Sequence, residues 1–295
     1  MVSVVIPAYQ SVDTIAECIN SVLRQTYSDL ELIVVDDGST DGTGDIVDRL
    51  TAQHSRLHVI HQPNRGRSEA RWAGVSAATG EWVAFVDSDD TFPPSALDDL
   101  MTAATNETDI VLGNGNSLHD EYRKQIPIDD FRHLAVRAEG TIGVPWGSLY
   151  RRKLLSRYLF DLPREVYNGE DYIFWLRLVF ATEKPVHVVY KSVYQKGDDH
   201  TCSSFVWTAD YCYRLNEYRK GSIPSDKHDE YLNDMLSDRI VNLFALASSQ
   251  PRSKWKHSQF WADIVADMKK TRRSLTLRQR LFLTFYWRFK TLLRI

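Results

Sequence analysis

The 295-residue sequence has only three cysteines, Cys18, Cys202 and Cys212, in neither a metal-ligand spacing nor a disulfide framework. That excludes a cysteine-built zinc site and a disulfide-stapled scaffold, favours a reducing compartment, and leaves Cys18 as a core residue of a helical pattern. No stretch approaches the roughly 20 apolar residues of a membrane-spanning helix. The opening "MVSVVIPAY" runs straight into a strand without a basic segment before it, so neither a cleaved leader nor an integral membrane segment is expected, and a cytoplasmic location follows. There is no G-x-x-x-x-G-K-[ST], and the first strand is followed by "PAYQS", which has no glycine. A P-loop and a dinucleotide fingerprint are both excluded, and a sugar nucleotidyltransferase is disfavoured. Acid is missing from Met268 to Ile295, which hold nine Lys or Arg; with a formal net charge of −3 overall, residues 1–267 carry −12.

What is present is a globular composition, 43% hydrophobic and 25% charged, sufficient for one large domain or two. Apolar strand-like runs alternate with amphipathic segments: "VSVVIP", Asp13 to Gln25, "LELIVVD", Thr43 to Thr51, "LHVIHQ", Ser68 to Ala78 and "EWVAFVD". The order is βαβα. Strands this apolar are covered on both faces, so an α/β fold with a mostly parallel sheet is expected, its binding crevice at the strand C-terminal ends. Four polar segments converge there: "PAYQS", "DDGSTD", "QPNRGRSEAR" and "DSDD".

The acidic segment "VDDGSTDG", residues 35–42, approximates the calcium-loop spacing through Asp37, Ser39, Asp41, Gly42 and Asp48. Calcium loops lie between helices, whereas the preceding "ELIVV" is a strand, so calcium is rejected. A turn with Ser39, Thr40 or Asp41 capping the helix near Thr43 remains open. In "FVDSDD", Asp87 and Asp89 leave a strand end two residues apart, where both carboxylates can reach one hard cation, Mg²⁺ or Mn²⁺, that keeps positions for a diphosphate. A bare D-x-D is also a common turn. In "YNGEDYIFWLRL", Asn168 is a candidate helix cap that sets Glu170 and Asp171 in a first turn, where acids also serve the helix dipole alone.

Taken in order, strand-P-A-Y, V-D-D-G-S-T-D, N-R-G-R-S-E-A-R, G-E-W-V-A-F-V-D-S-D-D and N-G-E-D-Y resemble the inverting nucleotide-sugar glycosyltransferases of family 2, of bacterial polysaccharide or lipopolysaccharide type, which have the GT-A fold. The close match covers roughly the first 95 residues, with weaker signals to about residue 205. The resemblance implies that Asp37 accepts a hydrogen bond from the uracil N–H, that Pro7, Ala8 and Tyr9 line base and ribose, and that Arg71 contacts base or diphosphate, with Trp72 standing where the family usually has Asn. Arg65 and Arg67 read as loop charges. Asp87 would meet the ribose with Ser88 beside it, Asp89 would bind the metal, with Asp90 as a helper, Asp171 would be the base, and Glu170 an acceptor or orienting contact. Trp146, in "GVPWGSLYRRKLL", is a candidate acceptor platform. His200, in a loop over the diphosphate, is a candidate third metal ligand.

The implied organisation is a GT-A domain over residues 1–207, with a nucleotide-sugar half (1–110) and an acceptor half (111–207), followed by helices over 208–295. The implied partners are a UDP-sugar and a glycan or lipid-linked acceptor; hexosyl or N-acetylhexosaminyl transfer is the expected type. A second function class is a non-catalytic nucleotide-sugar or glycan-binding module on the same fold. The tail 268–295 mixes Leu, Phe, Tyr and Trp with Arg, as interfacial helices do, which points to an anionic leaflet and a peripheral place on the inner face of the cytoplasmic membrane. A terminal helix that packs on the protein or forms a homo-oligomer is the alternative. A single basic tail on an acidic body without a binding motif makes nucleic acid a poor partner.

Overall fold

The computed structural model describes residues 1–113, 124–138, 144–197, 205–276 and 283. Strand β1 (Val2–Ala8) is buried at every position, as its β-branched run requires when helices cover both faces. It pairs in parallel with β2 (Leu30–Asp36) and β4 (Trp82–Phe85), and β2 pairs in parallel with β3 (Leu57–His61). The crossovers are α1 (Ile15–Leu23), α2 (Thr43–Thr51) and α3 (Arg67–Ala77). Strands are added from β1 outward to β3 and then, on its other side, at β4. The ends of β1 and β4 therefore form a topological switch point, where a crevice opens.

The rest of the sheet is less regular than the sequence suggests. Strand β7 (Ser148–Arg151) inserts antiparallel between β4 and β5 (Ile110–Gly113). Beyond them β8 (Val186–Val189) runs parallel to β5, and β6 (Gln125–Ile126) closes the edge antiparallel, completing the order β3-β2-β1-β4-β7-β5-β8-β6. Short α4 (Ala96–Met101), α5 (Ile128–Arg137), α6 (Arg157–Phe160) and α7 (Glu170–Val179) complete the elements of this region. Helix α1 stops short of Gln25, whose side chain turns inward to donate to Pro93 O and accept from Leu97 N.

Helix α3 lies unusually close to β1. A Cβ on Gly74 would come 2.4 Å from Val5 Cγ1, so only glycine permits this approach. The contact fixes the turn that carries Arg71.

The chain divides into two compact units, Met1–Arg132 with Gly140–His200, and His133–Glu139 with Thr201–Ile295. The second contains α8 (Ala209–Gly221), α9 (Leu232–Ser249) and α10 (Gln259–Lys270). Thr208 and Ser258 cap α8 and α10 by accepting from Tyr211 N and Trp261 N. These helices enclose Cys212, Leu236, Leu243, Trp255, Phe260 and Ile264. Arg219–Asp238 and Arg239–Asp267 are ion pairs beside that core. Among the described residues no helix is long and apolar enough to cross a membrane.

Candidate active site

The acidic loop after β2 is knitted to its neighbours by its own carboxylates. Asp36 Oδ1 accepts from Ser39 N, and Asp36 Oδ2 meets His61 Nδ1 at 3.0 Å, while His61 Nε2 meets Asp48. Asp41 Oδ1 accepts from Thr43 N at the start of α2, and its Oδ2 accepts from Val12 N. Burial alone would raise the Asp41 carboxyl, but these bonds together outweigh it and hold it below the usual range. The cap position of α2 is nonetheless Gly42, in the left-handed region at φ 100 with no side-chain capping bond, so none of Ser39, Thr40 and Asp41 is the cap; Asp41 instead ties Thr43 to the β1–α1 loop.

Asp37 has a different job. Its Oδ1 accepts from Gln62 Nε2 (2.7 Å) and Arg65 N (2.8 Å), and its Oδ2 from Gly66 N (2.8 Å). It pins the Gln62–Gly66 loop after β3 against the end of β2. Gly38, at φ +76, lets the two loops touch, since a Cβ there would lie 2.8 Å from Asn64 N. Of roughly four acceptor positions on a carboxylate, three are filled, leaving one on Oδ2. At the end of β1, Pro7 and Ala8 are buried and Tyr9 is 52% exposed, an aromatic ring standing at the crevice mouth.

Three motif residues meet at Arg71. Its guanidinium, 3% exposed, donates through Nη1 to Asp171 Oδ1 (2.5 Å) and through Nη2 to Asp87 Oδ1 (2.9 Å). Burial alone would lower the arginine's pKa, but the charges of Asp171 and Asp87 outweigh it and raise the value. Arg71 Nε is buried without a partner, so both carboxylates are fixed by one otherwise enclosed fork. Arg71 thus joins the strand-end acid to the α7 acid through its two Nη groups.

Glu170 and Asp171 occupy the first turn of α7. The cap is Gly169, in the left-handed region at φ 102, with no side-chain capping bond; Asn168 is not the cap. Glu170 is buried, and burial together with the Asp171 charge raises its carboxyl from the ordinary 4.5 to about 7, against the opposing pull of Arg67 and Arg71. Arg67 Nη2 lies 3.5 Å from Glu170 Oε1 and its Nη1 4.0 Å from Asp171 Oδ2. Arg67, read from sequence as a loop charge, opens α3 and belongs to the site. Its spacing of four from Arg71 placed both on one helix face and was the available signal.

The D-S-D-D segment separates into distinct roles. Ser88 Oγ shares a 2.7 Å hydrogen bond with Ser11 Oγ on the β1–α1 loop. Asp90 accepts from Tyr194 OH (2.6 Å) and Gly197 N (2.9 Å), and Asp87 N donates to Tyr194 OH (3.1 Å). Asp90 is therefore a brace for the segment after β8. Tyr194, which no sequence motif marked, is the post it braces. Asp89 is exposed and makes no hydrogen bond or ion pair among the described residues.

Trp146 stacks on Tyr194 (centroids 4.3 Å apart, planes at 17°), with Lys196 Nζ 4.7 Å from its ring centroid. At least one face of the candidate platform is thereby covered. His200 lies outside the described residues. Among the described residues no three His, Cys, Asp or Glu side chains converge to hold a metal ion. A cavity of about 330 Å³ adjoins the pair of acids, lined by Arg65, Arg67, Arg164, Tyr167 and Glu170 among others.

The fold is shared with S. aureus TarS (TM-score 0.67, 22% identity, 90% of this chain and 79% of that one), whose structures include a complex with UDP-GlcNAc (TM-score 0.64). It is shared as well with the mannosyltransferase PcManGT from Pyrobaculum calidifontis, in complex with GDP-Man and Mn²⁺ (TM-score 0.57, 18% identity, 98% of this chain and 80% of that one). The GT-A architecture is the one present. In sequence, the Streptococcus pneumoniae glycosyltransferase GlyA is 28% identical over 267 residues, 82% of this chain and 38% of GlyA. EpsH of Bacillus subtilis is 32% identical over 199 residues, 63% of this chain and 58% of EpsH. The chain thus spans less than two thirds of the length of either relative. The profile described as glycosyl transferase family 2 matches residues 3–159, more than half of the sequence. That match over more than half of its length shows that the chain belongs to glycosyl transferase family 2.

Proposed function

We propose that this chain is an inverting glycosyltransferase that moves a hexosyl or N-acetylhexosaminyl group from a UDP-sugar to a hydroxyl of a glycan or lipid-linked acceptor in cell-surface polysaccharide synthesis. The observation that carries the reading is the convergence of Asp87, Arg71 and Asp171, 16 and 100 residues apart, at the C-terminal edge of β4.

Asp37, with one free acceptor position on Oδ2, and Tyr9, exposed beside it, form the uracil site; Pro7 and Ala8 supply its floor. Asp87 and Ser88 face the ribose. Asp171 is the base: Oδ1 is held by Arg71, which leaves Oδ2 to accept the acceptor hydroxyl's proton. Glu170, near half protonation at neutral pH, can donate or accept toward the incoming hydroxyl. The acceptor reaches Asp171 through the cavity lined by Arg67, Arg164, Tyr167 and Glu170.

The donor set suits Mn²⁺ or Mg²⁺. Asp89 is an unpaired hard oxygen ligand, Asp87 Oδ2 faces no arginine, and such cations are held by one or two carboxylates plus substrate phosphates. When bound, the ion would stabilise charge on the departing diphosphate. The basic residues 268–295 would hold the protein on the anionic inner face of the cytoplasmic membrane. The complexes of TarS with UDP-GlcNAc and of PcManGT with Mn²⁺ support the donor and metal readings.

The test is release of UDP from a panel of common UDP-sugars without acceptor, with and without Mn²⁺. Slow, metal-dependent release is expected. No release from any of them would favour the binding module.

A further inference from the structure

The helical unit contains a second cavity, of about 570 Å³, unrelated to the residues discussed so far. Its walls are apolar: Trp255, Trp261, Val265, Met268, Leu275 and Leu283. Trp255, Leu275 and Leu283 belong to the buried cluster of this unit, so the cavity is an open cleft whose floor is the edge of that core. Its size lies in the usual range of a small-molecule or cofactor site.

The polar part of the lining has one sign. Arg252, Lys269, Arg272 and Arg273 surround the apolar walls, and no Asp or Glu is among the described residues that line the cavity. Nearby cations are matched: Lys270 donates to Asp229 and Arg239 to Asp267. Arg273 is held by Asn233 O and Ser237 Oγ, both at 3.0 Å. Arg252, Lys269 and Arg272 have no acid partner among the described residues. Uncompensated cations gathered at the mouth of an apolar cavity select a ligand with an anionic head and a hydrocarbon body.

We propose that this cavity binds an anionic lipid, taking an acyl chain between Trp261, Val265 and Leu283 and its phosphate between Lys269, Arg272 and Arg252. Free phosphate would need no apolar walls, and a neutral lipid would need no cations. The inference extends the membrane-surface reading of residues 268–295 but stands on the cavity, and the two are separable by experiment.

Trp255 and Trp261 in the walls provide the probe. Full-length protein is titrated with short-chain phosphatidylglycerol carrying bromine on its acyl chains, below its micelle concentration, and tryptophan fluorescence is followed. Saturable quenching is expected, absent with brominated phosphatidylcholine of equal chain length, and not displaced by inorganic phosphate. Lys269→Glu with Arg272→Glu should weaken it at least tenfold. Val265→Trp, which fills the cavity, should abolish it while leaving the far-UV circular dichroism and UDP-sugar hydrolysis unchanged. Equal quenching by both lipids, displacement by phosphate alone, or full quenching in both variants would overturn the proposal. Cosedimentation with phosphatidylglycerol vesicles that survives Val265→Trp while the short-chain lipid is no longer bound supports the cavity and assigns the vesicle contact to the tail. Vesicle binding without any short-chain binding overturns the cavity and leaves the tail reading intact.

Discussion

At the scale of single residues the site is a chain of charge: Asp87, Arg71, Asp171, Arg67 and Glu170 within ion-pair distance of one another. Asp89, the proposed metal ligand, stands apart, exposed and unpaired among the described residues. Asp89→Asn is therefore expected to lower metal-dependent turnover by at least about 100-fold, the upper end for changes one step removed from a metal, while urea unfolding stays near wild type. Glu170 makes a pH prediction. Its carboxyl rises from about 4.5 to about 7 on folding, because burial and Asp171 disfavour the charge. The folded state then holds the proton more tightly, so the stabilisation is full below the unfolded value of 4.5 and is lost as pH rises through 7. Glu170→Gln should remove this loss, and its stability relative to wild type should improve from pH 5 to pH 8 in denaturant titrations. A constant difference across that window would show that Glu170 is ionised throughout.

At the scale of elements, the charges are placed by three strand or helix ends. The first turn of α7 carries both acids, and the helix dipole would favour them by only about 0.3–1 kcal/mol. That is too little to explain a buried Glu170, so its position serves the neighbouring arginines or the substrate. Helix α3 carries Arg67 and Arg71 on one face and sits on β1 through Gly74. Gly74→Ala should force the helix outward at about 1–3 kcal/mol, the range for overpacking. It should reduce turnover more than donor affinity, because Arg71 holds Asp171 while the proposed uracil contacts, Asp37 and Tyr9, lie on other loops. Loss of donor affinity with normal turnover would place Arg71 on the nucleotide instead.

At the scale of the whole molecule, the parallel half was legible because its inner strands β1, β2 and β4 are buried on both faces and read as continuous apolar runs; β2 and α2 match to the residue. The second half was not. Strand β7 is four residues inside a segment read for its Trp, and its antiparallel place between β4 and β5 depends on partners far along the chain. The motif acids were visible, yet their division of labour was hidden. Asp36, Asp37, Asp41 and Asp90 look like Asp89 in the sequence, but hydrogen bonds to loops remote in sequence make them braces, Asp37 keeping one acceptor position besides. Tyr194 had no signal at all, since its meaning is the bond to Asp90 104 residues away.

The central claim is that Asp171, held by Arg71, is the base of a sugar transfer. The most direct measurement is Asp171→Asn, with UDP-sugar affinity by calorimetry in the presence of Mn²⁺ set beside turnover. The account predicts donor affinity within a few-fold of wild type and turnover reduced about 10²–10⁴-fold, the usual contribution of a general base. Turnover that persists, or affinity that falls in step with it, would contradict the assignment.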